Sequence, residues 1–210
     1  GGLDLNAIEQ VRHEAFPDIR NADEMHDLLM SLVFLPIDSY LFEQNQTTRE
    51  YWQGLLNELA LAHRACILDS SHLGKPSWIA CENLSNLSAD QIESEFIERA
   101  VYGLLMHVGP ITEEQIFERL GFSIGDIQFA LVALETRGTI LRGSFTPSNM
   151  VSRVEWCERG LLSRIHRLTI GSLRKQIEAV SPAQYMDWLF NWQHVSSLGQ
   201  LIGEHGTLEV

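Results

Sequence analysis

Between positions 137 and 175 the chain carries Arg137, Arg142, Arg153, Arg159, Arg164, Arg167, Arg174 and Lys175 against only Glu155 and Glu158, a local charge of +6. Side chains of this type engage an anion by point charge. On a phosphate backbone they bind by releasing counterions, without reading sequence. The rest of the chain is acidic. Over 210 residues, 15 Lys+Arg stand against 28 Asp+Glu for a net of -13, so the residues outside the strip carry -19. Of the net -13, residues 1–105 hold -11 and residues 106–210 hold -2. Such a body excludes a protein that wraps DNA, though not contact along one strip. Two readings stay open: an anionic partner, or pairing of these arginines with acids inside the protein or an oligomer.

Leu161, Leu162, Ile165 and Leu168 form an apolar stripe at helical spacing. Arg164 and Arg167 stand one turn apart on the other side, Arg174 and Lys175 follow Gly171, and His166 is a further donor or a plain surface histidine. Tyr185, Trp188, Leu189, Trp192 and Val195 form a second stripe, read as a buried face rather than a base-stacking platform. Gln193 and His194 flank it as candidate cleft residues. No G-x-x-x-x-G-K-[ST] loop is present to hold a nucleotide triphosphate. His63, Cys66, His72 and Cys81 lack the paired spacing of a structural zinc site. Glu113 and Glu114 suit the first turn of a helix, where they favour its dipole, better than acid–base work. The expectation is therefore no catalytic residue, no metal and no cofactor in this chain. Three cysteines point to a reducing compartment, and no apolar run approaches the roughly 20 residues of a membrane span. A Gly-Gly start without a signal sequence reads as a fragment of a cytosolic protein.

The elements that must position these residues are announced by capping boxes. Thr47-Thr-Arg-Glu50, Ser88-Ala-Asp-Gln91, Thr112-Glu-Glu-Gln115 and Ser181-Pro-Ala-Gln184 fit the pattern in which a hydroxyl and a Glu or Gln cap each other's end. Ser123 with Asp126 is a weaker version. Helices are expected near 23–34, 48–63, 90–107, 112–120, 124–137, 157–168, 172–179 and 182–195. β-Rich pieces at Ala65–Asp69 with Trp78–Cys81, and at Thr139–Phe145 with Val151–Trp156, read as two hairpins.

The order helix–helix–hairpin occurs twice. Its junction repeats as Leu61-x-x-Arg64-x-x-Ile67-Leu68 and Leu134-x-x-Arg137-x-x-Ile140-Leu141, an offset of 73 residues. This is the plan of tandem winged-helix domains in a mainly α chain with short β-hairpins, followed by a helical segment. The expected domains are 1–88, 89–156 and 157–210. The third helices are poor readers of bases: Arg49 has Glu50 and Glu58 for company, and the second opens with Ser123, Gly125, Asp126 and Gln128. Scaffolding or partner binding suits them better, while Arg142 and Arg153 flank the second wing.

The run Glu155-Trp-Cys-x-Arg-x-Leu-Leu-x-Arg-Ile-His-Arg167, with Trp192-Gln-His-Val195 downstream and Tyr51-Trp-Gln-Gly-Leu-Leu56 upstream, resembles the region after the motors in large helicase-related (Lhr) proteins. These are ATP-dependent superfamily 2 helicases of 3′–5′ polarity. The resemblance covers about three quarters of the chain. It implies a tandem winged-helix array in the C-terminal extension of a DNA-repair helicase, similar to AlkZ-type DNA glycosylases. Uracil-DNA glycosylase activity and oligomerisation are associated with that extension. ATP and Mg would belong to motor domains that this chain lacks, and the resemblance places the glycosylase acid on no particular residue here.

The expected function is non-specific contact with the DNA backbone, single-stranded or duplex, by Arg137, Arg142, Arg153, Arg164, His166, Arg167, Arg174, Lys175, Gln193 and His194. Expected partners are DNA, the motors of the same chain and a second copy, in the cytoplasm at the nucleoid and not at a membrane. The alternatives are an oligomerisation module or part of a base-excision domain.

Overall fold

The computed structural model describes residues 2–42, 46–69, 73, 75–86, 94–147, 153–176 and 180–193. Contacts divide the chain into a larger unit, Gly1–Ile170, and a C-terminal unit, Gly171–Val210. The fold is mainly helical with two small antiparallel sheets.

The larger unit opens with α1 (Leu5–Ala15), capped by the Asp4 side chain, which accepts from the Asn6 N–H. No helix is expected there from the sequence, which has no capping box. A first repeat follows: α2 (Ala22–Leu32), β1 (Phe34–Pro36), a 3-10 turn (Tyr40–Phe42), α3 (Gln46–Leu61), β2 (Ala65–Leu68) and β3 (Ser77–Ala80). A second 3-10 segment (Cys81–Asn86) leads to α4 (Ser94–Val108). The second repeat continues with β4 (Ile111–Thr112), α5 (Glu113–Leu120), α6 (Ile124–Thr136), β5 (Ile140–Gly143) and β6 (Glu155–Glu158). The sheets have matching strand orders, β1-β3-β2 and β4-β6-β5. The expected two-stranded hairpins thus each gain a third strand from the residues after the first helix.

The repeat is real, but its offset is not 73. After α3 the His63 N–H donates to the Ala60 carbonyl (3.1 Å) and the Arg64 N–H to that of Leu59 (2.9 Å). Each bond recurs 75 positions on: Gly138 N–H to Glu135 (2.8 Å) and Thr139 N–H to Leu134 (3.2 Å). β2 pairs Ala65 with Ala80, as β5 pairs Ile140 with Glu158. Arg64 therefore corresponds to Thr139, and the Leu-Arg-Ile-Leu match is coincidental. On the central strands the shared residue is a tryptophan, Trp78 and Trp156, each buried against the helices of its own repeat.

Each sheet also has its back covered. Ile79, next to Trp78, joins the core of the second repeat, where Phe34 stacks on Phe96 (6.1 Å) and meets Phe122 edge-on (5.4 Å). Cys157, next to Trp156, joins Ala7, Ile8 and Val11 of α1 with Ile165 of α7 (Arg159–Gln176). The helices α2 and α4 touch at Gly103, where a Cβ would stand 2.3 Å from the Ser31 carbonyl oxygen. A side chain there has no room.

Several boundaries differ from expectation. β6 occupies 155–158 rather than 151–156, because Cys157 is needed in the strand, and α7 starts at Arg159. The helix α7 passes through Gly171 without the expected break, since an interior glycine costs only about 1 kcal/mol. Thr112 and Ser181 form their capping boxes, and Ser123 accepts from the Asp126 N–H. Thr47 does not cap, because α3 already begins at Gln46. Ser88, His72, His194 and Val195 lie outside the described residues.

Of the C-terminal unit, the described residues are the end of α7 and α8 (Pro182–Trp192). None of the residues of α8 is buried, which corrects the reading of its aromatics as a buried face. The unit's described residues offer no element large enough to cover them. Tyr185, Trp188 and Trp192 instead stack on one another, with ring centres 6.2 and 5.6 Å apart.

Candidate nucleic-acid interface

The cations lie on and around the β5–β6 hairpin and on α7. Arg142 stands opposite Trp156 on the paired strands, so both side chains share one face of the sheet. Its guanidinium lies 5.7 Å from the indole ring, and its Nε is 3.6 Å from Glu135 Oε1. Arg137 ends α6 and donates to the carboxylate of Glu98, a buried residue of α4. Arg164 reaches Glu14 of α1 at 2.6 Å. Pairing within the protein thus holds for Arg137, Arg142 and Arg164, and their partners all come from outside the strip. Counting those three acids brings the local charge from +6 to +3.

The remaining cations of the larger unit are exposed. Arg153 precedes β6 and lines one groove with Glu113, Glu114 and Glu118 of α5. The Glu114 carboxyl is held below its ordinary range by its own backbone N–H, then by the Thr112 hydroxyl, and least by Arg153. Arg159 stays beside β5, its backbone N–H donating to the Thr139 carbonyl (3.0 Å). Arg167 is exposed on α7, and no carboxylate among the described residues forms an ion pair with it. His166 is not on its side. At 100° per residue it sits about 100° from Arg167 and 160° from Arg164. It lines a groove with Leu141, Phe145, Arg159 and Leu162 instead. Arg174 and Lys175 close α7 in the C-terminal unit, where Gln193 caps α8 through its backbone N–H.

What holds the β5–β6 hairpin is a residue with no motif to mark it. Buried Glu155 accepts from the Phe145 N–H (2.8 Å), the Thr146 N–H (2.7 Å) and the Thr146 hydroxyl (2.6 Å). That carboxylate fixes the start of the loop between β5 and β6. Its only sequence signal was an acid between two strand-forming apolar residues.

Third helix α6 brings no cation to the surface. It exposes Ile124 (52%), Phe129 (64%) and Val132 (58%), beside Gln128, which reaches Glu113 at 2.6 Å. Such a face suits an apolar partner, not base edges. The thiol of Cys66 interacts with that of Cys81, and burial raises its pKa. Among the described residues no group of three potential ligands gathers for a metal, and no helix is long and apolar enough to cross a membrane.

No protein-family model matches the chain. Among curated proteins it is similar to one from Mycolicibacterium smegmatis named "Lhr helicase/ probable uracil glycosylase", with 34% identity over 89 residues. Those residues are 42% of this chain and 6% of that far longer protein. The similarity relates the chain to Lhr-type proteins.

Proposed function

We propose that the chain is a tandem winged-helix segment of an Lhr-type DNA helicase, which grips the DNA backbone without reading sequence and serves as a scaffold for neighbouring domains. The similarity over 89 residues carries this reading. Two repeats with one element order and one strand order support the tandem part of this reading. Arg153 and Arg167 are the leading phosphate contacts. Arg142 and Arg164 join when they exchange Glu135 and Glu14 for phosphate, and Arg174 and Lys175 contribute from the C-terminal unit. The glycosylase and helicase activities in the relative's name are assigned to no residue of this chain.

Binding to two duplexes of unrelated sequence, titrated against salt, tests the reading. Equal affinities are expected, falling steeply as salt rises. A preference of more than tenfold between the duplexes contradicts non-specific binding, and salt-independent affinity contradicts phosphate contact.

The apolar face of α6 favours a second reading, a protein-docking module. Light scattering separates the two. Self-association abolished by Phe129→Glu, with no shift of DNA at any salt, supports docking alone.

A further inference from the structure

Two of the chain's three cysteines meet in the first repeat. β2 and β3 run antiparallel, with Ala65 opposite Ala80 and Cys66 opposite Ile79. Side chains alternate between the faces of a sheet, so Cys66, Ile79 and Cys81 share one face. The strands are still joined at Cys81, whose N–H donates to the Arg64 carbonyl (2.9 Å). Within a regular ladder such diagonal neighbours stand about 7–8 Å apart at Cα, just beyond the reach of a disulfide. Cys81, though, opens the 3-10 segment Cys81–Asn86, past the end of the ladder, and its thiol is hydrogen-bonded to that of Cys66. The two sulfurs already face each other.

Burial separates this pair from the third cysteine. Cys66 and Cys81 are half-buried and so within reach of a small reagent, whereas Cys157 is fully buried. Among the described residues no His, Asp or Glu joins the pair as a third ligand, which leaves it short of the set zinc needs. β2 is an edge strand, paired only with β3 among the described residues. Cys66 packs against the core that the second repeat forms. A bond between the two sulfurs would therefore fasten the edge of the first sheet where it meets the second repeat.

We propose that Cys66 and Cys81 are a reversible redox pair that closes to a disulfide by exchange with a small-molecule disulfide such as oxidised glutathione. One cysteine thiolate attacks a sulfur of the reagent, breaks its S–S bond and releases one glutathione thiolate. The other attacks the protein sulfur of the mixed disulfide, forms the Cys66–Cys81 bond and releases the second glutathione thiolate. The protein loses two electrons and the reagent gains them, while the protons of the two cysteine thiols end on the released glutathione. The cations of α7 take no part, so the pair does not depend on the DNA-binding reading.

Incubating the chain with oxidised glutathione at neutral pH, then trapping free thiols and mapping peptides by mass, tests this. The expected product has lost the mass of two hydrogens, carries peptides joined through Cys66 and Cys81, and keeps Cys157 free. Closing a loop of this length should raise Tm by about 5–10 °C. Amide exchange across Ala65–Leu68 should slow, and both changes should reverse in dithiothreitol. Cys66→Ser and Cys81→Ser should each hold a glutathione adduct on the remaining cysteine, with no rise in Tm. Lasting adducts on the wild type without the joined peptides, as from thiols that cannot reach each other, overturn the proposal. So does a Cys66–Cys81 bond that leaves Tm unchanged or lower, since the fold would then have to distort to make it.

Discussion

The two repeats share one backbone and present opposite surfaces. Both leave their first helix through a residue with positive φ, Val33 (73°) and Gly109 (67°), and both leave their third helix the same way, through His63 (57°) and Gly138 (71°). The second repeat places glycine at both turns, where the left-handed region costs it nothing, while the first bears the strain of side chains. Each central strand turns a tryptophan toward its own helices and a second residue, Ile79 or Cys157, toward whatever lies behind. Behind the first sheet is the second repeat. Behind the second are α1 and α7, and with α7 come Arg164 and Arg167. The wiring is set by turns and buried strands, and the proposed phosphate contacts come with what is stacked on the last sheet.

The largest expected effect separates the repeats from each other. Gly103→Ala sets a methyl group against the backbone of α2 and should cost about 3 kcal/mol, read as a lower urea midpoint. A loss under about 0.5 kcal/mol would mean the helices part easily and the core is not shared.

Alkaline stability tests the covering of the second sheet. Burial pushes the Cys157 thiol from its ordinary 9.0 up to about 12. The unfolded thiol gives up its proton from about pH 9 while the folded one keeps it, so stability is complete below pH 9 and falls as pH climbs toward 12. Burial raises Tyr40 from 10.0 to about 12, with a loss of the same sign starting a unit higher. Cys157→Ala should flatten the decline from pH 9 to 10 in denaturation midpoints. An equally steep decline in that variant would mean the back of the sheet is open to water.

Smaller effects probe the turns. Gly138→Ala should cost about 1–2 kcal/mol, because its φ is strained for any side chain although space exists. His63→Gly at the matching turn should instead gain up to about 1 kcal/mol. Equal responses would break the correspondence between the turns.

These positions also show what the sequence could disclose. Capping at Thr112 and Ser181 is local chemistry, and both helices begin where their hydroxyls predict. The α1 segment stayed hidden because Ile8 and Val11 find their apolar partners, Cys157 and Ile165, some 150 residues away. The 75-residue correspondence was masked by a better-looking match at 73, since hydrogen bonds and not side chains define it. At the cation strip, residue types were legible and pairing was not. Glu14 and Glu98 reach Arg164 and Arg137 only through the fold.

If, as we propose, the exposed cations before β6 and on α7 hold DNA by its phosphates, removing them makes binding less sensitive to salt. The most direct test is the slope of log affinity against log salt for wild type, Arg153→Gln/Arg167→Gln and Arg164→Gln. Each phosphate contact contributes roughly 0.9 to that slope. The double variant should lose about 2, and Arg164→Gln less than 1, because Glu14 already holds that side chain. An unchanged slope in the double variant would contradict the account.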